Sequence, residues 1–232
     1  MSAPDPRPGL LRDPAHGPLP ALLLGLTFVT GLVDAASILG LNRVFVANMT
    51  GNVVFLGFAV AGAPGFSLVG SLAALAGFLL GAAAAGLVVR RRPPDRGAML
   101  AGTCAAELML VAASTVVATA DPRARTATWL MTALLAIALG AQNTVARRLA
   151  VPDLTTTVLT MTLTGIAADA RAGRTLVRRL LAVAAMAAGA VAGALLVLRV
   201  SLAAGLATAT VVLALVTTGA LVATRQPAAW RG

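Results

Sequence analysis

The strongest constraint on this chain is a set of six apolar runs, each long enough to cross a membrane. They lie at residues 19–41, 67–89, 98–120, 126–146, 179–199 and 202–223. Roughly 20 apolar residues wound as a helix at 1.5 Å each span most of a ~30 Å hydrocarbon core. Two further apolar stretches, 46–61 and 154–168, fall short, since helices over them reach only about 24 Å. Both begin in polar clusters: Asn48, Thr50 and Asn52 in the first, and DLTTTVLTMTLT, from Asp153, in the second. Only 11% of residues are charged and 59% are hydrophobic, whereas soluble domains carry about 25% charged residues. The expected fold class is therefore all-α integral membrane, with the lipid bilayer as the first partner.

The same order of motifs occurs twice. Gly31-Leu-Val-Asp34 aligns with Gly140-Ala-Gln-Asn143, Thr50 with Thr160, and Gly77-x-x-x-Gly81 with Gly189-x-x-x-Gly193. Collinear matches indicate an internal duplication. The chain divides into a disordered cytoplasmic tail at 1–18, a first repeat at 19–120 and a second at 126–224, together forming one membrane domain. Each repeat reads as long helix, short polar segment, long helix, long helix.

Charge discriminates between topologies. All 18 basic residues are arginine, which together with the alanine-rich core fits a GC-rich bacterial genome. If all eight segments crossed, the arginines would divide 8 against 10. If the two short segments enter and leave on the same side, 14 share one face and four remain (Arg43, Arg123, Arg125 and Arg199). The positive-inside rule favours the second arrangement. The expectation is six transmembrane helices plus two re-entrant half-helices, with both termini cytoplasmic; seven or eight full spans is the alternative. Three spans per repeat is odd, so the repeats would be inverted, a plan that places a solute site near the midplane. The basic excess lies in loops between apolar runs, so no nucleic-acid partner is expected.

The candidate site residues follow from their cost. An intramembrane carboxylate costs roughly 2.5–3.5 kcal/mol on insertion scales, so it needs a partner or a role. Asp34 reads as a proton-coupling residue or cation ligand, or else as a structural carboxylate capping a half-helix or pairing with Arg43. Its repeat mate Asn143, beside Gln142, cannot titrate. Glu107, amid CAAELML, should face the bundle interior, as a functional acid or as a hydrogen-bonded helix contact. Asn48 and Asn52 are four apart and would share a helix face; Thr156, Thr160 and Thr164 repeat that spacing. Pro152-Asp153 is a plausible start for the second half-helix, with Asp153 as cap. Thr50 lies off the Asn48/Asn52 face unless the chain near Gly51 is unwound. These polar ends either meet at a binding site or make interhelical hydrogen bonds worth about 0.6 kcal/mol each. Gly77, Gly81, Gly189 and Gly193 allow close helix packing, between the repeats or in a homodimer.

Other chemistry is disfavoured. A lone Cys104 and a lone His16 leave no metal cluster and no Ser-His-Asp triad, and no P-loop, HExxH or GxSxG motif is present. No cofactor and no enzymatic activity is expected. GLVDAASILGLNRVFVANMTGNVVFLG, with GAQNTVARRLAVPDLTTTVLTMTLTGIAAD, resembles the YoaK-like family of small bacterial membrane proteins over about residues 19–224. The resemblance implies a multi-pass inner-membrane protein and brings no catalytic residues. The expected function is a secondary transporter or permease for a small polar or ionic solute, proton-coupled through Asp34, with Glu107 a second candidate. A passive channel, or a protein binding a lipid or membrane partner, is the alternative.

Overall fold

The computed structural model describes residues 15–91, 95–120, 124–157, 159–168, 173–225 and 229–231. Most of the tail expected at 1–18, and Arg92, Arg123 and Arg171 from the charge argument, lie outside those residues. Eight α-helices follow in order: α1 (Leu19–Gly40), α2 (Met49–Val60), α3 (Leu68–Arg91), α4 (Arg96–Ala120), α5 (Arg125–Leu149), α6 (Thr160–Ala168), α7 (Arg174–Arg199) and α8 (Leu202–Thr224). A short 3-10 turn, Ala229–Arg231, follows them. Six of the helices are long and apolar enough to cross a membrane. α2 and α6, at 12 and 9 residues, extend only about 18 and 14 Å. The protein is a multi-pass, all-helical membrane protein with two short helices between its spans.

Several hydroxyls of the spanning helices are satisfied within their own helix. Thr27, Thr30, Thr132, Ser114 and Thr217 each donate a hydroxyl to the carbonyl four residues back. That disposes of side-chain donors that lipid cannot solvate.

Packing repeats between the halves. α1 packs most extensively on α7, and α3 on α5; α1 also meets α8, and α4 meets α5. Exchanging α1 with α5, α3 with α7 and α4 with α8 maps each of these pairs onto the other. Burial agrees: 56% of the apolar window is buried in both α1 and α5, 17% in α3 and α7, and 33% in α4 and α8. Glycines make the two main crossings close. A Cβ on Gly189 would collide with the Phe28 carbonyl, and one on Gly193 would crowd Leu32. In the other crossing, a Cβ on Gly81 would strike the Ile137 carbonyl, Gly140 that of Phe78, and Gly77 has Ala133 and Ala136 against it. All four glycines singled out from sequence thus lie in contacts within the chain.

The short helices return to the end they start from. Arg43, just past α1, has its guanidinium over Gly65 at the turn between α2 and α3. After α5, Asp153 pairs with Arg179 of α7 across the α6 segment. At the opposite end from Gly65, Arg96 bonds the carbonyls of Ala15 and Leu149, and Arg231 pairs with Asp95. The N-terminal entry, the α3–α4 connection, the α5 terminus and the C-terminal turn therefore share one end. Six spans with two returning segments account for these contacts, whereas eight full spans would separate Arg43 from Gly65.

Candidate functional site

The two short segments differ in outline from the sequence expectation. α2 starts at Met49, with Asn48 outside it at φ −98°. Asn48 and Asn52 therefore do not share a helix face. α6 starts at Thr160, not at Pro152-Asp153, and Asp153 binds Arg179 instead of capping. The residues before α6 form a loop with Ala150, Asp153 and Thr156 at positive φ. Thr156, at φ 61°, is β-branched in a conformation that ordinarily costs about 1–3 kcal/mol. It is loop, so Thr156, Thr160 and Thr164 do not form one helical face either.

Unwinding each lead-in lets polar groups converge. A cavity of ≈ 630 Å³ lies where the two short segments meet. Asp34 of α1, Asn48 and Thr50 of the first segment, Asn143 of α5, and Thr157 and Thr160 of the second line it. Its apolar wall includes Phe78 of α3 and Met186 of α7. Both short helices begin at this cavity, so their unpaired N–H groups and positive dipole ends lie beside it. Thr50 and Asn48 reach the same space because the helix begins between them.

Asp34 is committed on one oxygen. Its Oδ1 accepts backbone N–H bonds from Val46 (3.3 Å) and Ala47 (3.1 Å), which ties the lead-in of α2 to α1. It is held by backbone donors, with Arg43 instead seated over Gly65. Asn52 lies away from the cavity, fully buried. It accepts from the Phe45 N–H (2.9 Å) and donates to the Phe45 carbonyl (2.6 Å), closing the lead-in onto α2. Its role is to shape the site without lining it.

Glu107, Gln142 and Thr156 form a second centre, all at most 2% exposed. Gln142 of α5 reaches Thr30 of α1 and Thr156 at 3.0 and 2.9 Å, and Glu107 of α4 lies on the other side of its amide. The two centres adjoin. Thr30 and Asp34 on α1, Gln142 and Asn143 on α5, and Thr156 and Thr157 in the loop each give one residue to each centre.

Sequence reasoning missed Thr30, Thr157 and Arg179. Thr30 stands one helical turn before Asp34, so helix-face reasoning could have found it. Thr157 was hidden among three consecutive threonines. Arg179 donates to Asp153 (2.8 Å) and to the Gly165 carbonyl (2.6 Å), a structural clasp that resembles any other loop arginine in sequence. A second cavity of ≈ 430 Å³, between α3, α4 and α5, is lined mainly by apolar residues such as Ala85 and Met99, with Asp95 and Thr103 also in its wall, and contains none of the polar candidates.

A family model described as a protein of unknown function, DUF1275, matches residues 22–219. The chain belongs to this family. It is also similar to UPF0700 transmembrane protein YoaK of Bacillus subtilis (strain 168), with 34% identity over 148 residues. That match covers 64% of this chain and 65% of the relative, just under two thirds of the relative's length. No solved structure matches. The matched family region includes both short segments and every residue of the two polar centres.

Proposed function

We propose that the protein is a secondary transporter for a small polar or ionic solute, built as an inverted repeat, with the cavity as the solute site. The observation that carries this reading is the meeting of both short segments around that one cavity. Half-helices converging from two repeats are how many transporters bind solute at the midplane. The exchange symmetry of the helix pairs supports the inverted repeat, as does the odd number of spans in each half. The arginine distribution supports placing both termini in the cytoplasm of a bacterial inner membrane. Carrier function, not enzymatic function, is the reading that uses this cavity.

Asp34 is the coupling residue in this mechanism. Two helix N-termini contribute roughly half a positive charge each, which an ionised carboxylate offsets. Adding a proton to Asp34 removes that offset and leaves the cavity receptive to an electron-rich group. Proton and solute then load together, and the hydroxyls and amides of Asn48, Thr50, Asn143 and Thr160 complete the solute's hydrogen bonds.

The test is flux into proteoliposomes containing a pH-sensitive dye, over a panel of small polar solutes. A solute that drives proton movement in the wild type but not in Asp34→Asn supports the mechanism. Flux unchanged in Asp34→Asn rejects Asp34 coupling, flux without proton movement favours a passive channel, and no flux for any solute favours a lipid- or partner-binding protein. Reporter fusions after Arg43 and Arg174 should report opposite sides of the membrane; a shared side would reject the inverted topology.

A further inference from the structure

Glu107 lies outside the cavity, and the mechanism above does not use it. Its surroundings nonetheless do more than bury a carboxyl. The Gln142 amide atom facing Glu107 lies 2.7 Å from Oε1 and 3.1 Å from Oε2. Its other amide atom lies 2.9 Å from Thr156 Oγ1 and 3.0 Å from Thr30 Oγ1. These heavy-atom positions admit two hydrogen-bond patterns of opposite sense, and the difference between them is one proton.

An ionised Glu107 only accepts, so Gln142 must turn its NH2 group to the carboxylate. Its carbonyl then accepts from Thr30 and Thr156, and both hydroxyl protons point at Gln142. A neutral Glu107 donates its O–H to the Gln142 carbonyl instead. The NH2 group now faces the threonines, whose oxygens accept. Thr30 has a single hydroxyl proton, and in this pattern it goes to the Leu26 carbonyl at 2.9 Å. Thr156 must likewise turn its proton away from Gln142. Nothing covalent changes except one O–H bond on Glu107, formed with a proton from solvent.

We infer that Glu107 is a proton-binding site that sets the loop before α6 through Gln142 and Thr156. The loop is suited to respond. Thr156 sits at φ 61°, a conformation that persists only where contacts impose it. Its neighbours Thr157, Leu159 and Thr160 form one wall of the cavity. Reversing the sense of the Gln142–Thr156 bond changes what holds Thr156, and the wall follows. Among the described residues, no other charge faces Glu107 from the elements around it, Arg125 being exposed at the start of α5. Asp34 of α1 lines the cavity, Arg147 and Arg148 of α5 are exposed at its end, Asp153 is bound to Arg179, and α8 has no ionisable side chain. On α4 itself, Cys104 is buried one turn away and Arg96 is bonded at the N-terminus.

The inference requires no solute, so it succeeds or fails apart from the transport reading. Full-length protein in lipid nanodiscs would be titrated by infrared spectroscopy. A protonated-carboxyl band should appear with acidification, survive Asp34→Asn and vanish in Glu107→Gln. In parallel, Leu159→Cys in a Cys104→Ala background would be labelled with a maleimide across the same pH range. Labelling should change about fivefold or more, the range of ordinary site-to-site coupling. Thr156→Ala should keep the infrared band and abolish the pH dependence of labelling, and it provides the test if Glu107→Gln does not fold. A band absent at every pH, or pH-dependent labelling that survives Thr156→Ala, overturns the inference.

Discussion

The two lead-ins to the short helices perform the same geometric task by different chemistry. The first, residues 42–48, is fixed by side chains bonded to its backbone: Asp34 holds Val46 and Ala47, and Asn52 holds both polar groups of Phe45. Aromatic contacts reinforce it, with Phe45 stacked on Phe55 at 5.6 Å and Phe66 at 5.0 Å from Phe55. The second, residues 150–159, has no aromatic residue. Among the described residues, side chains from other elements that hold it include Gln142 on Thr156 and Arg179 on Asp153. Asp34 can take its proton on Oδ2 and keep Oδ1 as an acceptor, so its bonds to Val46 and Ala47 and the stacked rings hold in either state, whereas an amide between a carboxyl and a hydroxyl reverses its bonds. The first lead-in is therefore a fixed wall and the second a wall that can be reset, which is the division of labour a gated cavity needs.

The comparison can be broken most severely at the shared scaffold. Leucine at Gly189 or at Gly81 places a side chain against a backbone carbonyl in one of the two main crossings. Each should cost about 3 kcal/mol, the upper range for overpacking. Thermal unfolding in detergent would read both. Equal losses are expected from equivalent crossings; a large loss at one and a mild loss at the other would show that the halves do not share the load.

Next comes the fixed wall. Asn52→Leu removes the partner of two Phe45 backbone groups, at about 1–3 kcal/mol each if they stay unpaired. A stability loss of about 2 kcal/mol is expected, with increased labelling of a cysteine placed at Asn48. Stability within about 0.5 kcal/mol of wild type would mean that the rings alone hold the first lead-in.

Arg179→Met tests the second wall. The ion pair to Asp153 is only partly buried, with 14% and 18% of the two side chains exposed. The expected stability loss is about 1 kcal/mol, between exposed and buried pairs. The larger signature should be faster hydrogen exchange confined to residues 150–168. Exchange spread evenly over both lead-ins would remove the distinction drawn between them.

Much of this architecture was legible in the sequence because membrane spans are selected by length and apolarity. The six runs match the six long helices closely, apart from α7, which begins at Arg174 and so includes an arginine-rich first turn placed in a loop by hydropathy. The short helices were legible as short but not in their starting points. Helical spacing assigned Asn48 with Asn52 and Thr156 with Thr160, whereas each pair straddles a change from loop to helix. Nothing local marks that change: Thr156 adopts a left-handed conformation that its own side chain disfavours, and its side-chain partner, Gln142, comes from a different helix. Asp34, Asn143 and Thr160, which line the cavity, stand out in the sequence because a recurring motif and an acid in an apolar run are visible one residue at a time. The Glu107–Gln142 contact joins positions 35 residues apart on two helices, which no periodicity within one helix encodes.

The smallest expected effect lies outside both walls and calibrates them. Arg231 binds Asp95 at the start of α4 and donates to the Thr224 carbonyl, holding the C-terminal turn against the bundle. The Arg231 guanidinium keeps the Asp95 carboxyl below its ordinary 3.8. A depressed acid stabilises the folded contact above its unfolded value, and that contribution fades as pH falls through the lower folded value. The turn should therefore stay docked at neutral pH and loosen only well into acid. Trp230 packs beside Gly17 and Gly97 and would report the release as a change in fluorescence, in a Trp129→Phe background. Asp95→Asn should shift the turn toward release at all pH values and remove the acid transition. If labelling at Leu159→Cys tracked this Trp230 transition instead of the Glu107 band, the resettable wall would be responding to a loosened helix end. If the two titrate separately, with Asp95→Asn affecting only Trp230, the second lead-in has its own proton site.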